Sequence, residues 1–366
     1  MKRKIIITFM ILFLMIGNVL PVLAADTTDS STAPQGLTIQ QAIDMALKSS
    51  NSLQSASLSV DRSKDVRDYA GYAMGGQMTP TGIGATSSSV STFYSLVSAN
   101  ISWEMTKKNE TAVEDQVSYS TFKAYIDVLN AEETLSLAEK SLAVAQWNNN
   151  VASVGWRVGT VGDYDRNSVE TAFKAAQKTV EADKIALTGA YQALDKLLGL
   201  SADSTPLLAE KPNFVALDPN TNLDGAISNG VDNNPQIYNL DQKVTLAQLS
   251  LNTWTGTGDP YEAKEIDKTT AELNAADTRV TLRQAVRTTY NNINSLEQQI
   301  AAQQEQLKKD QENLRLTQIK MDIGLATKTD LLSAEFTVQT DTKNLNNNIN
   351  SHELLKLAFK KPWAVS

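Results

Sequence analysis

The sequence predicts an all-α protein built from duplicated long antiparallel helices, with room for at most a short β-hairpin near residues 80–103. Three observations lead there. The first is a repeat: residues 154–173, VGWRVGTVGDYDRNSVETAF, recur as residues 319–338, IKMDIGLATKTDLLSAEFTV. At an offset of 165 this pairs Val158 with Ile323, Gly159 with Gly324, Asp165 with Asp330, Ser168 with Ser333 and Glu170 with Glu335. The second is an upstream echo at an offset of 184, in which LTIQQAIDMALKSSNSL (37–53) matches NLDGAISNGVDNNPQI (222–237). The third is an apolar series spaced by seven, unbroken through Val286, Ile293, Ile300, Leu307, Leu314 and Met321. Self-similarity over half a chain marks a duplicated module, and sustained seven-residue spacing marks helices packed side by side.

The elements run in order. Residues 1–24 read as a signal peptide: Lys2, Arg3 and Lys4 precede an apolar run over 5–16, and Val22, Leu23 and Ala24 offer a cleavage site. That run is shorter than the roughly 20 residues needed to cross a bilayer. Residues 25–36 are a flexible leader. A first helical repeat spans 37–200. Within it, 37–73 has helical periodicity with Thr38 as its cap. Residues 74–100 turn rich in Gly, Ser and Thr, and residues 90–103 read as a short strand by their Thr, Phe, Tyr, Val, Ile and Trp content. Helix resumes over 104–158. Another helix comes after the glycines at 159–162 and ends at Gly199 as a C-cap. Residues 201–221 form a linker with Pro206, Pro212 and Pro219.

The second repeat, 222–361, breaks at 255–260 and continues as one helix over 261–323, on the order of 95 Å long at 1.5 Å per residue. A last helix covers 327–360, and 362–366 is a tail. Helices of that length suit a tube or a rod better than a globule, since the mean globular helix has roughly 11–12 residues. The polar stretch 291–318 is either a solvated face or the lining of a water-filled lumen.

Composition excludes several functions. Removing the basic triplet leaves 30 Lys+Arg against 41 Asp+Glu, a net charge near −11. Such a chain is not expected to bind nucleic acid. With no cysteine and one histidine, His352, no transition-metal site or thiolate chemistry is expected; His352 reads as a heptad-position residue. No nucleophile–base set and no phosphate-binding loop is legible. The expectation is therefore neither an enzyme nor a cofactor protein.

These motifs, in their order and duplication, resemble the TolC family of outer-membrane efflux and secretion channels. The opening LTIQQAIDMALKSSNSL, its echo LDGAISNGVDNNPQI, the two turns VGTVGDYDRNSVETAF and IGLATKTDLLSAEFTV, and the segment ALTGAYQALDKLLGLS (186–201) carry the likeness. The resemblance implies a homotrimer. In it long helices form a hollow periplasmic barrel, paired with an adaptor and an inner-membrane pump, and conduct small molecules, ions or proteins. The alternative of the same descent is a secreted, non-conducting coiled-coil scaffold or adaptor. Either is exported to the cell envelope, at the outer membrane and periplasm or on the cell-wall side of a single-membrane host.

In that family the repeated turn forms the periplasmic tip, where carboxylates ring the entrance. Carried over residue by residue, the tip and gating positions are Gly159, Asp165, Gly324, Asp330 and Ser333, with Ser168 matching Ser333 in the first copy. Asp165 and Asp330 also fit plain charge–dipole stabilisation of a helix start, worth about 0.3–1 kcal/mol, and the two roles are compatible. Trp103 and Trp254 flank the places where the family inserts β-hairpins, so membrane contact is expected near them. The second copy has only 255–260 at that place, too short for strands of about 9–11 residues.

Overall fold

The computed structural model describes residues 36–75, 87–218, 221–256 and 258–365. The signal peptide, residues 25–35 of the leader and 80–86 of the expected hairpin lie outside the described residues. Among those described, eight α-helices and one 3₁₀ turn appear, and no strand beyond an isolated parallel bridge between Leu37 and Leu208. No described helix is long and apolar enough to cross a membrane.

Helix α1 (Ile39–Ser49) starts with a capping box: Thr38 accepts the Gln41 N–H, and the Gln41 side chain accepts the Thr38 N–H. The helix expected over 37–73 is broken after Ser49. Ser50 ends α1 and caps α2 (Asn51–Met74), its hydroxyl taking the Leu53 N–H. The second repeat breaks at the matching place. Asn234 caps α6 (Pro235–Asn252) after α5 (Leu223–Asp232), and Pro235 occupies the first turn. A side-chain oxygen that satisfies free N–H groups lets the chain restart a helix in a new direction.

The strand expected over 90–103 is instead part of α3 (Ser87–Arg157), 71 residues long and on the order of 107 Å. Val90, Phe93, Val97 and Ile101 recur at helical spacing, and Ile101 is buried. Ser and Thr cost a helix only a few tenths of a kcal/mol each, which this packing outweighs. Helices α4 (Asp163–Leu198), α7 (Tyr261–Asp322) and α8 (Lys328–Lys360) complete the set.

Two four-helix layers share α3 and α7. In one half the order is α2, α3, α6, α7; in the other it is α4, α3, α8, α7. Side-chain bonds set the register of α3 on α8. Asn350 bonds Asn130 (2.7 Å), Asn346 bonds Glu133 (2.7 Å), Gln339 bonds Ser136 (2.8 Å), Lys140 pairs with Glu335 (3.5 Å) and Thr329 meets Asn148 (3.4 Å). The α3 number rises as the α8 number falls, so the helices are antiparallel. The turns after α3 and after α7 therefore lie at the same end.

The core sits between the halves. One cluster joins Ala42, Ala46, Tyr125, Val128, Leu194 and Leu198; the other joins Ile227, Val231, Ile237, Val286, Ile293 and Phe359. Tyr125 also fastens the linker: its hydroxyl lies 2.8 Å from the Leu37 carbonyl and accepts the Glu210 N–H at 3.1 Å. Gly199 adopts φ 71°, and a Cβ there would stand 2.7 Å from the Ser49 Cβ, so glycine is required. Asp195 is fully buried with neither carboxyl oxygen hydrogen-bonded. Burial pushes its carboxyl above the usual carboxylate range, so this group favours the fold while protonated and loses that benefit as pH rises.

Candidate functional site

The two repeated turns form one end of the molecule, and they share a backbone pattern. In the first, Gly159 has φ 80° and its N–H bonds the Trp156 carbonyl at 3.1 Å, while the Thr160 N–H reaches back to Gly155 at 2.8 Å. In the second, Gly324 has φ 75°, its N–H bonds Met321 at 3.0 Å, and the Leu325 N–H reaches Lys320 at 2.7 Å. Each of these backbone donors and acceptors of the first turn has its counterpart in the second at the offset of the repeat. A positive φ closes the end of a helix, and glycine takes it without a steric cost.

The turns differ in how the next helix is capped. Thr327 and Asp330 form a capping box: the Asp330 N–H bonds the Thr327 hydroxyl oxygen at 3.2 Å, and Asp330 Oδ2 accepts the Thr327 N–H at 2.8 Å. The Thr327 backbone N–H, then its hydroxyl, holds the Asp330 carboxyl below the usual carboxylate range. This cap is therefore complete above that range and loosens as pH falls through it. The first turn has Gly162 at the cap position, with no side-chain cap. There Trp156 Nε1 donates to Asp163 Oδ1 at 2.7 Å, and the Arg166 guanidinium lies over the Trp156 ring at 4.6 Å. Asp165 lies in the first turn of α4, and Ser168 and Ser333 lie in the second turns of the two helices that leave this end.

Sequence reasoning missed the Trp156–Asp163–Arg166 cluster and the role of Gly155. A Cβ at Gly155 would lie 2.6 Å from Val161 Cγ2. The second copy solves the same close approach in reverse, with Lys320 at the position of Gly155 and the smaller Ala326 at that of Val161. A glycine inside a helical pattern was the available signal. Around these turns Val158, Tyr164, Ile323 and Leu325 are 69, 84, 64 and 75 % exposed, so this end presents apolar side chains to its surroundings.

At the other end lies the connection between α6 and α7, whose described residues, 253–256 and 258–260, contain no strand. Trp254 packs edge-on to Tyr261 (5.5 Å between centroids) and donates to the Asp259 carbonyl at 3.1 Å. Trp103 lies within a helix, with Arg67 at 3.9 Å and Lys107 at 4.0 Å from its ring centroid. Its own chain thus covers the Trp103 ring with cations, whereas Trp254 and Tyr261 are both partly exposed. Among the described residues no cluster of three or more His, Cys, Asp or Glu could hold a metal ion. His352 is buried at its heptad position.

Residues 220–352 match the family described as outer membrane efflux protein. No curated protein sequence matches the chain significantly. Several solved structures share the fold. The Vibrio cholerae outer membrane protein VceC has TM-score 0.63 at 14% identity, covering 89% of this chain and 95% of that one. The open state of the Neisseria gonorrhoeae MtrE outer membrane channel gives 0.62 at 17%, covering 88% of each. The Campylobacter jejuni CmeC outer membrane channel gives 0.62 at 12%, covering 88% and 85%.

Proposed function

We propose, from a chain that is TolC-like in fold and matches the outer membrane efflux protein family over its second repeat, that this protein is a cell-envelope efflux or secretion component. Its copies join edge to edge into a hollow helical conduit, a trimer by the family resemblance. It performs no enzymatic step; an adaptor and an inner-membrane pump drive transport, and the repeated turns form the end that meets them. The opposite end, which carries Trp103 and Trp254, faces the membrane. Gly159 and Gly324 shape the tip, and Asp165, Asp330 and Ser333 line its mouth, where carboxylates raise the local cation concentration.

The observation that carries this reading is an unpartnered edge. Helix α7 exposes Ile266, Leu273 and Val280. At the offset of the repeated turn their counterparts in α3 are Ile101, Lys108 and Asp115. Ile101 and Asp115 are buried, Lys108 reaches the Tyr238 ring of α6 at 5.6 Å, and Asp115 accepts from Lys361 at the end of α8 and from Trp363 of the tail. What α3 receives from its own chain, α7 lacks. The opposite edge offers the missing partner. Val66 and Tyr69 on α2 are exposed; the upstream echo matches them to Ser250 and Thr253 at the end of α6, which border α3. Tyr164 and Ile185 on α4 are exposed; the repeated turn matches them to Thr329 and Asn350, which bond α3. A second copy whose α2 and α4 lie on α7 repeats the internal contact, and such a heterologous contact closes into a ring when its rotation permits.

The double variant Thr160→Cys, Leu325→Cys tests the shared end. Oxidation of the folded variant is expected to give disulfides within or between protomers. No cross-link would count against a common tip.

A second reading, a non-conducting scaffold, is favoured by the α6–α7 connection. The span 253–260 cannot supply two strands of the roughly 9–11 residues that a membrane requires, and open strand edges in lipid are not viable. Purified protein in planar bilayers is expected to give no stable conductance by itself, leaving the membrane pore to a partner. Robust single-channel currents would overturn that expectation and favour a self-sufficient channel.

A further inference from the structure

We propose that His352, the only histidine in the chain, is a proton-operated clasp that holds the inter-repeat linker onto the second repeat. The imidazole is fully buried between two carboxylates from two helices. Nε2 lies 3.0 Å from Glu297 Oε1 on α7, and Nδ1 lies 3.1 Å from Glu353 Oε1 on α8. The same Glu297 oxygen accepts the Leu217 N–H of the linker at 2.7 Å. The Phe214 ring packs edge-on against the imidazole at 5.0 Å. Lys356 completes the group, donating to Glu353 at 2.9 Å and to the Val215 carbonyl at 2.8 Å. Residues 214–217 are thus tied down by Glu297, Lys356 and the imidazole itself, and Glu353 joins the last two.

A neutral imidazole has one N–H donor and one lone pair, whereas an ionised carboxylate only accepts. Both contacts are hydrogen bonds only when the ring carries two protons. Losing one proton turns one contact into a lone pair facing a carboxylate oxygen, in a buried site where that repulsion is poorly screened. The charged groups facing the ring are Glu297 from α7 and Glu353 and Lys356 from its own helix. The linker contributes Phe214 and a backbone N–H. At the same level of α3, Lys123 and Asp127 pair with each other at 2.6 Å and are about half exposed. Deprotonation therefore sets one carboxylate against the ring and loosens the linker, the covalent tie between the two repeats.

Hydrogen exchange at Leu217 in the full-length protein tests this, with rates corrected for the intrinsic pH dependence of exchange. Protection is expected to fall on the order of tenfold as pH is raised from about 5 to about 8; that is the worth of one charge-assisted hydrogen bond. His352→Gln should remove the pH dependence. Glu353→Gln should flatten it too, because a glutamine amide can donate to a neutral ring, and this variant keeps the test open if the first fails to fold. Equal protection at both pH values in the unmodified protein would overturn the proposal. So would an undiminished pH dependence in a folded His352→Gln variant.

Discussion

Replacing Leu273 and Val280 together by Asp is expected to convert the proposed assembly to monomers without unfolding the chain. Both side chains are already more than half exposed in the single chain, at 65 and 61 %, so the protomer loses no core. In the proposed ring they are covered by the next copy. Burying an aliphatic side chain contributes about 1.5–3 kcal/mol, and burying an unpaired carboxylate in its place is strongly unfavourable. The loss recurs at every junction, so the ring cannot compensate at one joint. Light scattering should report the mass of one chain, while far-UV circular dichroism keeps the helical signal. An unchanged oligomeric mass would show that α7 is not the joining edge.

The second large effect is expected in the core. Ile293 is fully buried in the seven-spaced series on α7, in a cluster with Val231, Val286 and Phe359. Ile293→Ala should cost about 2–5 kcal/mol, the transfer term plus the cavity left behind, read as a lower midpoint in denaturant unfolding. Leu325→Ala, at a side chain 75 % exposed, should stay within about 0.5 kcal/mol. A loss at Ile293 no larger than at Leu325 would mean that the heptad layer does not hold the helices of the second repeat together.

The duplication, the long helices and the turn glycines were legible in the residues because each depends on neighbours along the chain. Helical periodicity needs only positions three and four apart. The positive φ of Gly159 and Gly324 is local. The match of Ser50 to Asn234 as interrupting caps also lies in the upstream echo, but the periodicity of 37–73 hides it, because apolar spacing continues across the break. The strand reading of 90–103 failed for a related reason. Aromatic and β-branched residues favour strands only where a pairing partner exists, and here the chain supplies a helix face instead.

What the residues alone could not decide was which groups meet across the fold. Asp330 is visible in sequence, but its use as half of a capping box depends on the rotamer of Thr327. The Trp156–Asp163–Arg166 cluster forms only once the turn folds back. His352 could be placed on a heptad but not between Glu297 and Glu353, since Glu297 and Phe214 reach it from another helix and from the linker. The paired edges are the clearest case. Heptad spacing shows that α7 has an apolar stripe, yet only packing shows that a second seven-spaced set beside it, Ile266, Leu273 and Val280, is left bare while the matching face of α3 is filled. Burial is a property of the whole arrangement of helices, and no window along one helix contains it.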